Sequence, residues 1–264
     1  MDLRLSGKLA FVSGSTAGIG LAITKALAAE GARVVVNGRT EERVAEAAEE
    51  IQRAQKSARL ERFAGDLSHN RAAEAALARF PRVDILVNNL GVYEPKPFEQ
   101  ITDADWSAII ETNFMSGVRL SRAWLPQMKG ANWGRIIFIS SESAVSIPVE
   151  MIHYGVTKTM QLSLARGLAE TTAGTGVTVN SILAGPTRSE GVEKFIEDLS
   201  QSQGVSPSQV EQEFFKSVRP SSLLKRFAAV DEVAAVVAFV ASPLSSAING
   251  SALRVEGGVV RSIL

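Results

Sequence analysis

The sequence contains no cysteine and only two histidines among its 264 residues. The absence of cysteine excludes disulfides, thiol catalysis and thiolate metal sites. His69 and His153 lie far apart and have no neighbours at metal-ligand spacing, so we expect no dedicated metal site. Basic and acidic residues both number 28, and no long basic run is present. We therefore expect neither nucleic acid nor an anionic membrane as a partner.

Long apolar runs are also missing. The longest, residues 233–241, has nine members, whereas a transmembrane helix needs about 20. The N-terminus has no basic segment followed by an apolar run, so no secretory signal is expected. Together these absences predict a soluble, cytoplasmic protein.

Short β-branched or apolar runs alternate with helical periodicity along nearly the whole chain. Beyond a first strand and helix within residues 8–30, strands are expected at 32–37, 59–64, 83–87, 135–139, 177–183 and 251–255. Helices are expected at 39–55, 69–80, 103–128, 150–170 and 231–241. Because parallel strands are usually joined by helices, this alternation predicts an α/β fold, a Rossmann-type doubly wound parallel sheet of about seven strands with helices on both faces. Without a repeat or linker, residues 1–264 are expected to form a single domain.

The stretch from Lys8 to Glu30 contains a glycine-rich turn. Gly14, Gly18 and Gly20 lie between an apolar run and a helical pattern. Residues without a Cβ let the backbone approach a phosphate, and the following helix points its N-terminus at the anion. Such glycines also mark ordinary tight turns, but the strand before and the helix after favour a dinucleotide site.

Several polar residues and glycines end or follow predicted strands. In doubly wound sheets, ligands bind beyond the carboxyl ends of the strands, near the point where strand order reverses. Asp66, Asn89, Ser141 and Gly185 all have this position, as does the Gly14 turn. We expect them to surround one crevice.

Tyr154 and Lys158 are four residues apart on a predicted helix and therefore share a face. Such a pair usually decorates a solvated surface, and a serine such as Ser141 is usually a cap or turn residue. Together, however, they suit proton transfer. An ammonium and an oxidised nicotinamide both lower the phenol pKa from its usual value near 10, while a serine hydroxyl can hold a carbonyl oxygen. The hydride would come from the cofactor.

The sequence resembles the classical short-chain dehydrogenases/reductases over essentially its whole length. The matching stretches are S-G-S-T-A-G-I-G at 13–20, N-N-L-G at 88–91, Asn113 within E-T-N-F-M-S, Ser141, Y-G-V-T-K at 154–158, V-N-S-I-L-A-G-P-T from 179 and R-V-E-G-G from 254. Each stretch is loose by itself, but their order and spacing make a strong combination.

The resemblance implies a catalytic tetrad of Asn113, Ser141, Tyr154 and Lys158. Tyr154 is then the general acid/base, and Ser141 binds the substrate oxygen. Lys158 holds the nicotinamide ribose and lowers the tyrosine pKa. Asn113 anchors a water that passes protons toward Lys158; without the resemblance, it would be interpreted as an amide bonding backbone in a helix interior.

The resemblance also implies a set of cofactor-binding residues. They are Gly14, Ser15, Thr16, Gly18, Ile19, Gly20, Arg39, Asp66, Leu67, Asn89, Gly91, Tyr154, Lys158, Gly185 and Thr187. Two positions depart from the family pattern near the nicotinamide pocket, since Leu90 replaces the usual alanine and Ala184 the usual proline. His153 and Glu142 either face the substrate or are solvated.

The end of the second strand bears on the choice of cofactor. An acidic residue there would bind the adenosine ribose and repel a 2′-phosphate, but the strand ends in Asn37-Gly38-Arg39. Arg39 can pair with a phosphate through its planar guanidinium. Alternatively, it opens the next helix and pairs with Glu41, Glu42 or solvent. The glycine turn adds no second basic residue. We expect NADP, with NAD as the alternative.

Residues 189–225 correspond to the mobile substrate lid of the family, chiefly over residues 189–219, which are expected to be helical only in parts. Phe195, Phe214 and Phe215 suggest a partly apolar cover, although helical aromatics are more often plain packing. Apolar faces on the helices at 103–128 and 150–170 suit subunit contacts, and the resemblance implies a homotetramer or homodimer.

The expected function is that of an NAD(P)-dependent oxidoreductase that interconverts a ketone or aldehyde and an alcohol, with a small molecule as substrate. A 3-oxoacyl-carrier-protein reductase is the main subtype alternative. Its docking patch would draw on the basic residues Lys194, Lys216, Arg219, Lys225 and Arg226. A non-catalytic NAD(P)-sensing regulatory protein and an NAD-dependent epimerase or dehydratase are further alternatives.

Overall fold

The computed structural model describes residues 1–263 of the chain. The strands are β1 Leu9–Val12, β2 Arg33–Gly38, β3 Arg59–Ala64, β4 Ile85–Asn88, β5 Gly134–Ser141, β6 Val177–Ala184, β7 Thr187–Arg188, β8 Ala228–Ala229 and β9 Ala252–Val255. The α-helices are α1 Gly18–Ala29, α2 Glu41–Ala54, α3 Asn70–Arg79, α4 Asp103–Ile110, α5 Ser116–Gly130, α6 Ile152–Glu170, α7 Glu190–Gln203, α8 Pro207–Glu213 and α9 Val230–Val240.

Seven strands form one parallel sheet in the order β3-β2-β1-β4-β5-β6-β9. Strand order reverses at β1, where Ala10 lies between Val34 of β2 and Ile85 of β4. The central strands are buried on both faces because helices cover both. The predicted α/β class and doubly wound parallel sheet are confirmed.

The hydrophobic core has one cluster on each face of the sheet. On one face, side chains of α1, α2 and α9 pack on the strands, with Ile23, Ile51 and Val237 fully buried. On the other face, α3, α5 and α6 pack on the sheet around Phe11 and Trp124. Because all pairs of strands in this sheet are parallel, the residues that follow the strands lie along one edge.

The helix predicted at 103–128 is interrupted in its middle. Thr102 caps α4 through a capping box with Asp105, and the segment Glu111–Met115 is π-helical before α5 begins at Ser116. A π-turn inserts an extra residue into the helix and is common at functional sites. Periodicity does not reveal it, because buried positions keep a spacing of three or four residues through the segment. Asn113 lies at the centre of this segment.

Residues 189–219 are more helical than predicted. They contain α7, α8 and a second π-helical segment, Phe214–Val218. Ile196, Val210, Phe215 and Phe227 form a small hydrophobic cluster of their own. The two-residue strands β7 and β8, which the sequence did not predict, pair with each other at the two ends of this region.

Other boundaries shift by one or two residues. The helix predicted from 39 begins at Glu41, because Thr40 accepts a hydrogen bond from the Arg43 amide and caps it. The helix predicted from 150 begins at Ile152, after a 3₁₀ turn. None of the helices within residues 1–263 has the length and apolar character needed to traverse a membrane.

Candidate active site

The glycine-rich turn between β1 and α1 forms a close-packed cradle. Gly14 and Gly18 adopt φ values of +60° and +53°, which glycine tolerates best. A Cβ on Gly20 would lie 2.4 Å from both the side-chain nitrogen Nδ2 of Asn89 and the carbonyl oxygen of Gly14. No side chain caps the N-terminus of α1. Its backbone amides are thus available to an anion, as a dinucleotide phosphate requires.

Asn37 fastens this turn to the end of β2. Its side-chain oxygen accepts from the Gly14 amide at 3.0 Å, and its nitrogen donates to the carbonyls of Phe63 and Gly65. Its backbone amide donates to Ser15 Oγ at 2.8 Å. β2 ends at Gly38, so the strand end carries no carboxylate, and the Asn37 side chain before it is fully engaged within the protein.

Arg39 follows directly and is exposed. Within residues 1–263 no ion pair links it to Glu41 or Glu42, and its side chain is open to solvent, which agrees with the solvent-paired form of the alternative. Gly38, the residue before Arg39, packs against Thr16 of the glycine turn. A Cβ on Gly38 would lie 2.5 Å from the Thr16 methyl group. An exposed guanidinium beside a hydroxyl suits a phosphate.

The remaining residues predicted to contact cofactor lie around the same edge. Leu67 is buried and Ile19 is partly buried against the core. Burial alone would raise the pKa of Asp66, but hydrogen bonds from Ser68, with His69 and Arg39 nearby, lower it. At the other side, Thr187 Oγ1 donates to the Gly185 carbonyl at 2.9 Å. A Cβ on Gly185 would lie 2.6 Å from Glu256 backbone atoms.

Asn89, Leu90 and Gly91 follow β4 and line the floor of the site. Asn89 Nδ2 donates to the Ser13 and Gly14 carbonyls at 3.0 and 2.9 Å, which ties this turn to the glycine cradle. Leu90 packs against Gly14, since a Cβ on Gly14 would lie 3.2 Å from the Leu90 Cα. Leu90, larger than the alanine usual in the family, therefore contacts the phosphate turn directly.

Asn113 connects the π-helical segment to the chain after Gly91. Its side-chain oxygen accepts from the Val92 amide at 2.7 Å, and its nitrogen donates to the Val92 carbonyl and to Thr157 Oγ1. A Cβ on Gly91 would lie 3.4 Å from Lys158 Nζ and 3.6 Å from Asn113 Oδ1. The absence of a side chain at Gly91 leaves space between these two groups. The Asn113 side chain therefore forms its backbone hydrogen bonds with Val92, outside its own helix, and not within the helix.

Ser141, Tyr154 and Lys158 converge at the carboxyl end of β5. Ser141 is close enough to the Tyr154 phenol to lower its pKa and accepts from the Ser143 amide at 3.1 Å. Lys158 Nζ lies 5.6 Å from the Tyr154 ring centroid and donates to the Ile139 carbonyl at 2.8 Å. A phenol, an ammonium and a hydroxyl thus lie together at this strand end.

Burial dominates the electrostatics of this group. It raises the pKa of Tyr154 to about 12, although the hydrogen bond with Ser141 works in the opposite direction. Burial lowers the pKa of Lys158 to about 8. The phenol of the protein alone is therefore neutral at physiological pH. A further positive charge is required before it can exchange protons readily.

An ion-pair cluster beside Ser141 escaped sequence reasoning. Arg219 Nε donates to Glu142 at 2.7 Å, and Arg219 Nη1 donates to Glu150 at 3.4 Å. Glu142 is therefore buried and paired, so the solvated alternative is wrong for it. Arg219 entered the sequence analysis only as a surface cation, which the structure corrects. No sequence signal joins residues 77 positions apart.

Two rings next to Tyr154 complete the surroundings. Tyr93 packs edge-on against Tyr154 with centroids 6.1 Å apart, and its hydroxyl approaches Gly191 of α7. His153 is buried edge-on against Trp106, with centroids 6.0 Å apart. The expectation that His153 could be solvated is therefore wrong.

Among residues 1–263, no group of three histidine or acidic side chains has the arrangement of a metal site.

A doubly wound sheet, a phosphate cradle and a tyrosine–lysine–serine cluster at one edge define the class of dinucleotide-dependent oxidoreductases. The profile of the short chain dehydrogenase family matches residues 8–200. The chain belongs to this family, and its activity class is that of an NAD(P)-dependent dehydrogenase or reductase.

Similar proteins span the whole chain. The uncharacterized oxidoreductase YvaG of Bacillus subtilis is 47% identical over 263 residues, which cover 100% of both chains. D-beta-hydroxybutyrate dehydrogenase of Cupriavidus necator is 35% identical, over 97% of this chain and 99% of that protein. The crystal structure of L-sorbose reductase from Gluconobacter frateurii, complexed with NADPH and L-sorbose, superposes with a TM-score of 0.92 at 30% identity and 100% coverage of both chains.

The depressed pKa of Lys158 predicts a pH-dependent stability difference. Between the ordinary value of 10.5 and the folded value of about 8, the unfolded chain binds a proton on Lys158 that the folded chain has lost. Folding therefore becomes less favourable as pH falls through this window. Lys158→Met removes the effect. We expect its free energy of unfolding, relative to the unmodified protein, to rise by up to about 3 kcal/mol between pH 10.5 and pH 7.5.

Urea denaturation of the cofactor-free protein at both pH values measures this difference. Lys56→Met, at an exposed position, is the matched control and should show a pH dependence parallel to that of the unmodified protein. A parallel dependence for Lys158→Met would contradict the burial-driven shift.

Proposed function

We propose that the protein interconverts a ketone or aldehyde and an alcohol by hydride transfer, with NADP as cofactor and the tetrad of Asn113, Ser141, Tyr154 and Lys158. The observation that carries the proposal is the convergence of two groups on the Tyr154 phenol: the Lys158 Nζ lies 5.6 Å from its ring centroid, and the Ser141 side chain is close enough to lower its pKa. When bound, NADP supplies or accepts the hydride. The chain supplies the proton and the orientation.

Tyr154 is the general acid in reduction and the general base in oxidation. A pKa of about 12 makes the cofactor-free phenol a reluctant donor. The positive charges of Lys158 and of an oxidised nicotinamide both favour the phenolate and shift this pKa toward neutrality. Ser141, beside the same phenol, would hold the substrate oxygen through a hydrogen bond from its hydroxyl group.

Lys158 and Asn113 serve the proton path. The Lys158 ammonium is anchored on the Ile139 carbonyl, which leaves its other hydrogens for a ribose hydroxyl and a water. The space above Gly91, within 3.4 Å of Lys158 Nζ and 3.6 Å of Asn113 Oδ1, is suited to that water. Asn113, fixed by Val92 and Thr157, positions this end of the path.

NADP is favoured over NAD on two grounds. β2 ends at Gly38, so no carboxylate opposes a 2′-phosphate there, and the exposed Arg39 is available to pair with one. L-sorbose reductase, similar over the whole chain, was crystallised with NADPH. The uncapped N-terminus of α1, in the turn that contains Gly14, Gly18 and Gly20, supports binding of the pyrophosphate there.

The carrier-protein alternative requires a basic docking patch, and the candidate cations are largely neutralised. Arg219 is paired in the interior, Arg226 forms two bonds with Glu232, and Lys216 lies 3.8 Å from Glu213. A small-molecule substrate is therefore the better-supported proposal. A sensor without turnover would not need the tetrad, and that alternative has no support of its own.

Assembly as a homotetramer or homodimer in the cytoplasm completes the proposal. Partly exposed apolar side chains on the two candidate interface helices support it. They are Phe114 in the π-helical segment, Val118 on α5, and Met160 and Leu162 on α6.

Replacing Tyr154 by phenylalanine removes the only proposed proton donor at the reacting oxygen. We expect Tyr154→Phe to lower kcat by at least about 100-fold while NADPH binding changes little. A panel of ketones followed by NADPH absorbance measures the first quantity, and titration of NADPH fluorescence the second. Activity close to that of the unmodified protein would remove Tyr154 from its proposed role.

Replacing Arg39 by alanine tests the cofactor assignment. A charge-assisted contact contributes about 1.5–3 kcal/mol, so Arg39→Ala should weaken NADPH binding by about 10–100-fold and NADH binding far less. Arg53→Ala, at an exposed position near the end of α2, is the matched control. Equal losses for both cofactors would show that Arg39 does not bind the 2′-phosphate.

A further inference from the structure

We propose that the Thr157 hydroxyl is a positioning group for the proposed reaction, because it holds the Asn113 amide in the one orientation that aligns a water with Lys158. The inference rests on the proposed function, since it adds a residue outside the tetrad to the proton path of that same site. Thr157 acts through Asn113 and does not itself touch the reacting atoms.

The hydrogen of the Thr157 hydroxyl is committed within its own helix. Thr157 is fully buried on α6, between Tyr154 and Lys158. Its Oγ1 donates to the Tyr154 carbonyl at 2.7 Å, a bond that helical threonines often form with the preceding turn. A hydroxyl has one hydrogen to donate. Toward every other neighbour, Thr157 Oγ1 is therefore an acceptor.

A second bond joins this oxygen to the π-helical segment. Asn113 Nδ2 donates to Thr157 Oγ1 at 3.1 Å and to the Val92 carbonyl at 2.9 Å, while Asn113 Oδ1 accepts from the Val92 amide at 2.7 Å. Reversing the amide would turn its NH₂ group toward the Val92 N–H. It would also turn its oxygen toward a hydroxyl whose hydrogen is already in use. Thr157 and Val92 thus require the same orientation.

This orientation decides what Asn113 can offer to the crevice. Both Nδ2 hydrogens are taken, and the main-chain carbonyl of Asn113 accepts from Gln161 Nε2 at 2.6 Å. The side chain keeps one free lone pair, on Oδ1. The position of a Cβ on Gly91 lies 3.6 Å from this Oδ1 and 3.4 Å from Lys158 Nζ, so both atoms border the same space.

A water in that space is consequently oriented. It donates one hydrogen to Asn113 Oδ1, and its lone pairs then face the Lys158 ammonium, which can only donate. Its second hydrogen is left to pass toward solvent, which balances a proton accepted from Lys158. Without the Thr157 hydroxyl, one hydrogen of the buried Asn113 NH₂ group loses its partner. Because an unpaired buried donor is costly, the amide would rotate toward other acceptors, and the water would lose its alignment.

Thr172 provides a matched control, because it forms the same two kinds of bond beyond the far end of α6. It is buried, and its Oγ1 donates to the Ala169 carbonyl, three residues back, at 2.8 Å. The same oxygen accepts from Asn249 Nδ2 at 3.3 Å. Thr172→Val therefore carries the structural cost of losing such a hydroxyl without a change at the site.

Thr157→Val keeps the shape of the side chain and removes the hydroxyl. With the ketone of the panel that gives the highest kcat/KM, we expect kcat to decrease at least about tenfold while the Kd of NADPH stays within about twofold. Thr157→Ser, which retains the hydroxyl, should restore kcat to within about threefold of the unmodified protein. Thr172→Val should lower the urea midpoint by a similar amount but leave kcat within about twofold.

Two further measurements separate positioning from general damage. In the Asn113→Ala background, Thr157→Val should cause no additional loss of kcat, because residues that act through one another are not additive. In the cofactor-free protein, hydrogen exchange at the Val92 amide, which is bonded to Asn113, should become at least about fivefold faster in Thr157→Val and not in Thr172→Val.

A kcat of Thr157→Val within about twofold of the unmodified value, or a full additional loss in the Asn113→Ala background, overturns the inference. Thr157→Cys keeps the volume with a weakly accepting thiol and repeats both measurements if Thr157→Val does not fold. Turnover that persists in Tyr154→Phe contradicts the proposed function instead. The two failures are therefore distinguishable.

Discussion

The contact on which the site depends is the hydrogen bond from the Lys158 ammonium to the Ile139 carbonyl. It holds the ammonium in a buried position, and this burial lowers the pKa of Lys158 to about 8. The carbonyl belongs to β5 near its carboxyl end, and the lysine to α6, which packs on that strand. The placement of the cation beneath Tyr154 thus follows from the packing of one helix on one strand.

The remainder of the site follows from the sheet. Parallel strands end at one edge, and Asn89 and Asn37 use their amides to fasten the glycine turn to the neighbouring strand ends. Each amide replaces solvent contacts with bonds inside the protein, so the turn retains its shape without a ligand. The cradle and the Tyr154 cluster are therefore held by the same sheet edge, at a distance that the strand order dictates.

Much of this arrangement was predictable because its signals are local. Glycine spacing, strand ends and the interval between Tyr154 and Lys158 are all readable along a few residues. The α/β fold and its sheet were predicted correctly, and the chain belongs to the family that it resembles. The π-turn at Asn113 was not predictable, because the buried positions keep ordinary helical spacing on both sides of it. The pair of Glu142 and Arg219 was missed because it depends on how a distant segment folds back over the site.

The central claim is that Lys158, with an oxidised cofactor, controls the charge of the Tyr154 phenol. The chain has only two tyrosines, so in Tyr93→Phe the ultraviolet signal of tyrosinate reports Tyr154 alone. Titration of this protein should give a pKa of about 12 without cofactor and a value below 10 with NADP⁺ bound. The additional change Lys158→Met should raise the pKa measured with NADP⁺, because it removes the second positive charge. A Tyr154 pKa that NADP⁺ leaves unchanged, or that is the same with and without Lys158, would contradict the account.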